Sequence, residues 1–277
     1  MTFPQLGFGS APVLGRVGKR ESLDAIAHAY RHGVRHFDCA RSYGWGEAEG
    51  LLGRALAAYP RDSFRLVSKC GIVPPRRSTL LSLAKSSARR ILQVLPGAHA
   101  FVRGVATKHF QPTGTYDVAA LSGSLETSLR ELGTSYLDVL LLHNFEVGKP
   151  GLPEVIAFLR EQQKTGRIRR YGFSLESELT PGLDYLAQLD ALEGALVQVP
   201  VSDALFRLPE EYRRVPLIAH SPFRYLSQPA ERAARARNLS ELFTALAQAC
   251  NCEALVCSMF NVEHIDRNVA AQATAGR

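Results

Sequence analysis

The chain has 277 residues, 46% hydrophobic and 21% charged, an ordinary globular composition. Lysine and arginine exceed aspartate and glutamate by 33 to 26, a net charge of +7. That excess suits an anionic small molecule and is too modest to require nucleic acid. No block of like charges forms a basic tail, and no run of about 18 apolar residues could span a membrane. The amino terminus lacks the pattern of a signal peptide. The five cysteines (Cys39, Cys70, Cys250, Cys252 and Cys257) are odd in number, and no Cys/His spacing matches a zinc site, so no metal is expected. A reduced, cytoplasmic protein is the simplest expectation.

Short apolar runs alternate with longer amphipathic ones. Strands are predicted at 5–9, 36–40 and 64–69, with helices at 20–32 and 47–59 between them. Residues 72–116 interrupt the rhythm, opening on Pro74-Pro75 and carrying further breakers at Pro96-Gly97, Pro112 and Gly114. This is too long for an ordinary βα connection. Within it, 80–95 reads as a basic amphipathic helix packed over the fold. The alternation resumes with a helix at 122–133, a strand at 136–143, a helix at 152–166, a strand at 169–175 and a helix at 181–190. Strands at 195–201, 216–221 and 253–260 follow, with helices at 239–250 and 262–273. Eight apolar strands, each followed by a helix or room for one, predict a single-domain (β/α)8 barrel with a long inserted loop after strand three. An open doubly wound sheet is the alternative. Its phosphate loop needs G-x-G-x-x-G, and Gly7-Phe8-Gly9 is followed by Ser-Ala-Pro.

In such a barrel the chemistry sits at the carboxyl ends of the strands. Strand two ends on Asp38, with Tyr43 five residues on; strand three ends on Lys69, and strand four on His143. A free tyrosine, with a pKa of about 10, is a poor proton donor-acceptor near neutrality. A neighbouring ammonium is expected to lower that value, and Asp38 is the partner a buried Lys69 needs. The group then suits general acid or base work by Tyr43, with His143 orienting a carbonyl oxygen. It has no electron source, so carbonyl reduction requires a hydride cofactor. Cys39 and Cys70 follow Asp38 and Lys69 directly, and strand alternation points them away from the interior as packing residues. Trp45, the only tryptophan, reads equally as a wall of a substrate pocket or as loop packing.

The segments FDCARSYGWGEAEGLLGRAL, LVSKCG and SLETSLRELGTSYLDVLLLHN resemble the signatures of the aldo-keto reductase family. GRIRRYGFSL, ALVQVPVS, PLIAHSPF and ALVCSMFNVEHIDRNV follow in the family's order. The resemblance spans essentially the whole chain except 72–116. It implies an NAD(P)H-dependent oxidoreductase that reduces a small-molecule aldehyde or ketone, or runs the reverse. Tyr43 would be the proton donor, Lys69 and Asp38 its tuners, and His143 the orienting residue. Ser174 and Gln198 match positions that hold the nicotinamide carboxamide, and Ser221 lies in a loop that meets the pyrophosphate.

The chain departs from the family around the cofactor. Leu175 replaces an asparagine, and His220 replaces the tyrosine on which the nicotinamide stacks. Ser258 and His264 take the places of a lysine and an arginine that meet the 2′-phosphate in NADPH-preferring members. Arg267 stands where an adenine-contacting glutamate is common and offers replacement charge, while Asn268 keeps the expected adenine contact. The resemblance therefore implies NADP(H) first with NAD(H) also accepted. The basic insertion is expected to serve as a lid over the substrate. Two other readings compete: a cofactor-binding redox sensor or regulatory subunit without turnover, and a Schiff-base aldolase using Lys69.

Overall fold

The computed structural model describes residues 3–14, 16–72, 74, 115–176, 179–228 and 235–275. Eight strands close into an all-parallel barrel in sequence order. They are β1 (Gln5–Gly9), β2 (His36–Asp38), β3 (Arg65–Cys70), β4 (Leu137–Leu142), β5 (Ile168–Ser174), β6 (Leu196–Pro200), β7 (Leu217–His220) and β8 (Cys252–Cys257). β8 returns to pair with β1, so no edge is left open. The expected (β/α)8 architecture is the one the chain adopts.

The described helices are α1 (Lys19–Arg31), α2 (Ala48–Leu56), α3 (Val118–Leu132), α4 (Leu152–Lys164), α5 (Leu179–Gln188), α6 (Pro222–Leu226), α7 (Leu239–Ala249) and α8 (Val262–Thr274). Their ends follow local chemistry. Asp117 caps α3 by accepting from the Ala120 amide at 2.7 Å, and Gly133 ends it in the left-handed region at φ 67°. Asn261 caps α8 by accepting from the amides of Glu263 and His264. No described helix is long and apolar enough to cross a membrane.

Strand alternation divides the core in two. Outward residues such as Phe8, Phe37, Leu140 and Phe173 meet the helices. Inward residues Val67, Val139, Leu141, Leu196, Ile218 and Val256 fill the barrel. At β5 the neighbouring backbone comes so close that a Cβ on Gly172 would lie 1.9 Å from the Leu196 carbonyl oxygen. Lower in the barrel, Glu253 bridges Arg170 at 2.7 Å and Arg65 at 2.9 Å. His36 is fully buried and lacks a partner for either ring nitrogen. Burial pushes its pKa down to about 4, against the pull of Asp38.

Several boundaries differ from the sequence reading. β2 stops at Asp38 because beyond it the backbone keeps hydrogen bonds with β3 alone, Cys39 to Val67 at 2.8 Å and Arg41 to Lys69 at 3.1 Å. β8 ends at Cys257, three residues early, which leaves Ser258 beyond the strand. The 80–95 helix, and the insertion from 75 to 114, lie outside the described residues. The insertion's roots are described. The Thr115 amide donates to the Gly71 carbonyl at 2.7 Å, so the segment leaves and returns at one point above β3.

Among the described residues, five non-glycine residues adopt positive φ: Leu14, Trp45, Asn144, Asp190 and Ser221. All but Asp190 lie in loops that leave the carboxyl end of a strand.

Candidate active site

β2 and β3 run side by side, with Asp38 level with Val67. Inward alternation brings Asp38 and Lys69 to the same mouth. Both are almost fully buried, and the Lys69 Nζ donates to Asp38 Oδ1 at 2.6 Å and to the Cys39 carbonyl at 3.0 Å. It reaches the Tyr43 hydroxyl at 3.5 Å. The Tyr43 ring stands edge-on to His143, with centroids 5.9 Å apart. His143 directly follows β4, where its amide still donates to the Cys70 carbonyl at 2.8 Å. All four predicted chemical residues therefore converge.

The electrostatics differ from the sequence expectation in one respect. Tyr43 is held above its ordinary pKa, not below it. Burial dominates, and Lys69 offsets it only partly because its charge is already neutralised by Asp38. Tyr43 thus stays protonated at neutral pH. For Lys69, burial opposes the charged form, but Asp38 and Tyr43 outweigh it and hold the ammonium above the ordinary lysine value. A lysine kept charged in this way is a poor Schiff-base former. Burial first, then Lys69, lowers His143 to about 3 and His220 to about 4. Both rings are neutral at physiological pH. Buried thiols at Cys39 and Cys70, raised by burial to about 12, are inert packing groups.

The expected cofactor residues fall into two groups. Gln198 joins the mouth cluster, its Nε2 donating to the second oxygen of Asp38 at 2.7 Å. A carboxylate accepts only, so this contact fixes the orientation of the amide. Ser174 Oγ makes a long 3.4 Å contact with Gln198 Oε1. His220 faces the mouth from β7 and meets Ser221 Oγ through Nδ1 at 2.9 Å. Leu175 is buried against Gly182 of α5. The second group follows β8. Ser258, His264 and Arg267 are exposed, and buried Asn268 donates to Met259 Sδ at 3.4 Å. Ser258 Oγ lies 3.4 Å from where a Cβ on Gly9 would stand, so this group approaches the mouth from the β1 side. Trp45 is 44% exposed at the rim, within a run of left-handed residues from Gly44 (φ 57°) to Gly46 (φ 84°).

Sequence reading missed the support of the Tyr43 loop. Glu49, fully buried on α2, accepts from Arg41 Nη1 at 2.7 Å and from Ser68 Oγ at 2.6 Å. Arg41 also donates to the Gly46 carbonyl at 3.1 Å. The loop carrying Tyr43 is therefore clamped between α2 and β3. Glu49→Ala leaves the Arg41 guanidinium buried without its counter-charge, and should lower stability by about 3–5 kcal/mol. Chemical denaturation of wild type and variant measures this; equal midpoints would refute the clamp. The only hint in the sequence was Glu49 two residues after Glu47 at the start of a helix.

Residues 5–224 match the family model described as "Aldo/keto reductase family". The chain belongs to the aldo/keto reductase family. Among curated relatives, the NADH-specific methylglyoxal reductase of Escherichia coli is 28% identical over 160 residues, covering 57% of this chain and 42% of that protein. The match thus spans less than half of that relative's length. An aldo-keto reductase of Bacillus halodurans in its holo form superposes with a TM-score of 0.67 at 20% identity, covering 98% of this chain and 87% of that one. One from Klebsiella pneumoniae in complex with NADPH gives 0.66 at 19%, covering 99% and 90%. At such identity these structures speak for the fold alone.

Proposed function

We propose that this aldo/keto reductase reduces an aldehyde or ketone to an alcohol, or catalyses the reverse, using a nicotinamide dinucleotide. The observation that carries the reading is the buried Asp38–Lys69 pair with Tyr43 and His143 closing on it. When bound, the reduced nicotinamide supplies the hydride. Tyr43, protonated through the neutral range, donates the proton to the forming alkoxide. Lys69 stands beside the hydroxyl and stabilises the phenolate left behind. Asp38 keeps Lys69 charged and fixed. The neutral His143 orients the carbonyl oxygen. Its Nδ1 is buried without a partner, so the tautomer protonated on Nε2 avoids enclosing an unpaired N–H. Trp45 at the rim would wall the substrate.

Two features fit a nicotinamide at the mouth: the unpartnered His143 Nδ1 and the weakly engaged Ser174 hydroxyl. Ser174 and Gln198 would hold the carboxamide, His220 would stack beneath the ring, and Ser221 would meet the pyrophosphate. Leu175, packed on α5, offers no hydrogen bond. Ser258, His264, Arg267 and Asn268 would meet the adenosine half. Only Arg267 there carries a fixed positive charge, so NADPH should lead NADH by a small margin. Dissociation constants for the two dinucleotides test this; a strong preference for NADPH would overturn relaxed selectivity.

Activity itself is tested with a panel of carbonyl substrates, including sugar and pyridoxal-type aldehydes, and both cofactors. Turnover of some panel member supports the reading. Tight dinucleotide binding with no turnover would favour a non-catalytic sensor instead.

A further inference from the structure

Away from the barrel mouth, at the carboxyl end of α1, two histidines one helical turn apart face a carboxylate from α8. His28 Nε2 lies 2.7 Å from Asp266 Oδ1, and His32 Nδ1 lies 3.4 Å from the same oxygen. The two imidazole rings are stacked with centroids 4.0 Å apart and planes inclined by 20°. The three ligand atoms lie within 4.8 Å of one another. We propose that His28, His32 and Asp266 bind one divalent transition-metal ion, which staples the first helix to the last.

The donor set and its spacing carry the proposal. Two neutral imidazoles and one carboxylate suit zinc, copper, nickel or cobalt, whereas magnesium and calcium prefer all-oxygen sites. Metal–nitrogen bonds of about 2.0–2.1 Å place tetrahedral ligand atoms about 3.3 Å apart. The His32–Asp266 separation of 3.4 Å already matches that edge. The His28–Asp266 hydrogen bond at 2.7 Å must open by about 0.6 Å, and the two imidazoles must turn out of their stack so that both lone pairs meet the ion. His28 is half-buried while His32 and Asp266 are exposed, which leaves a solvent-facing position for a fourth, water ligand. The cation would also sit at the carboxyl end of α1, where the helix dipole favours positive charge. The sequence reading expected no metal because it sought cysteine spacings, and Asp266 is 238 residues from His28.

The test uses the full chain, stripped with chelator and titrated with cobalt(II) and zinc(II). We expect one equivalent to bind. Cobalt should give ligand-field bands without the thiolate charge-transfer band that binding at Cys250 or another cysteine would give. At a 100-fold excess of zinc over Kd, Tm should rise by roughly 5 °C. H28Q/H32Q and, separately, D266N should weaken binding by about tenfold or more while their metal-free Tm stays near that of wild type. Absence of saturable binding, a thiolate band, or unchanged affinity in H28Q/H32Q would overturn the site. α8 also carries His264, Arg267 and Asn268, so zinc should tighten dinucleotide binding. That last readout rests on the proposed cofactor site, and the metal titration does not.

Discussion

Replacing Tyr43 by phenylalanine is expected to lower kcat for carbonyl reduction by about 10²–10⁴-fold while changing dinucleotide affinity little. The hydroxyl is the only atom removed. It lies 3.5 Å from Lys69 Nζ and belongs to a loop clamped independently by Arg41 and Glu49. The ring keeps its edge-on contact with His143, so the geometry of the mouth should persist. Steady-state kinetics on the best substrate of the panel, with fluorescence titration of the dinucleotide, measure both quantities. A variant with near wild-type kcat would remove Tyr43 as the proton donor. Because burial holds the tyrosine above its ordinary pKa, the wild-type reductive rate should also stay flat from neutral to mildly alkaline pH.

The second large effect is acid sensitivity of the fold. His36, His143 and His220 are held near 4, 3 and 4, in each case first by burial. In the unfolded chain each titrates at about 6.5. Below that value the unfolded state takes up protons that the folded state refuses, so stability falls as pH falls. The loss begins near pH 6.5 and continues to the folded values. By about pH 4.5 each histidine contributes about 2–3 kcal/mol of it, and the three together rival a total stability of about 5–15 kcal/mol. The urea midpoint should therefore drop steeply between about pH 7 and pH 4.5, and His36→Gln should reduce the slope by about a third. A midpoint independent of pH would show that these rings do not resist protonation. His36 is the cleanest probe because it lies inside the barrel and outside the proposed chemistry.

The barrel was legible because buried parallel strands leave continuous apolar runs, as in LDVLLL of β4. The mouth was legible because the barrel has a known polarity: a polar residue closing such a run, like Lys69 or His143, has one place to go. What escaped depends on three-dimensional balance. The direction of the Tyr43 shift sets burial against a lysine already paired with Asp38, and no spacing reports which is larger. Gln198 was placed correctly at the mouth, but its bond to Asp38 joins positions 160 residues apart. The Arg41–Glu49–Ser68 clamp was hidden for another reason. Charged residues near a helix start read as surface, and only packing reveals that Glu49 has no exposure.

The left-handed residues described above have a consequence for engineering. Trp45, Asn144 and Ser221 hold φ values of 61°, 51° and 59°, each beside a proposed site residue or itself one. An L-residue in that region carries roughly 1–2 kcal/mol of steric strain that glycine does not. Thermostabilising substitutions are thus easiest to find on the rim, where they loosen what the rim positions. For this chain the trade-off between stability and turnover should be concentrated on that face, while the opposite end of the barrel, closed by Glu253 and its two arginines, stays free of it.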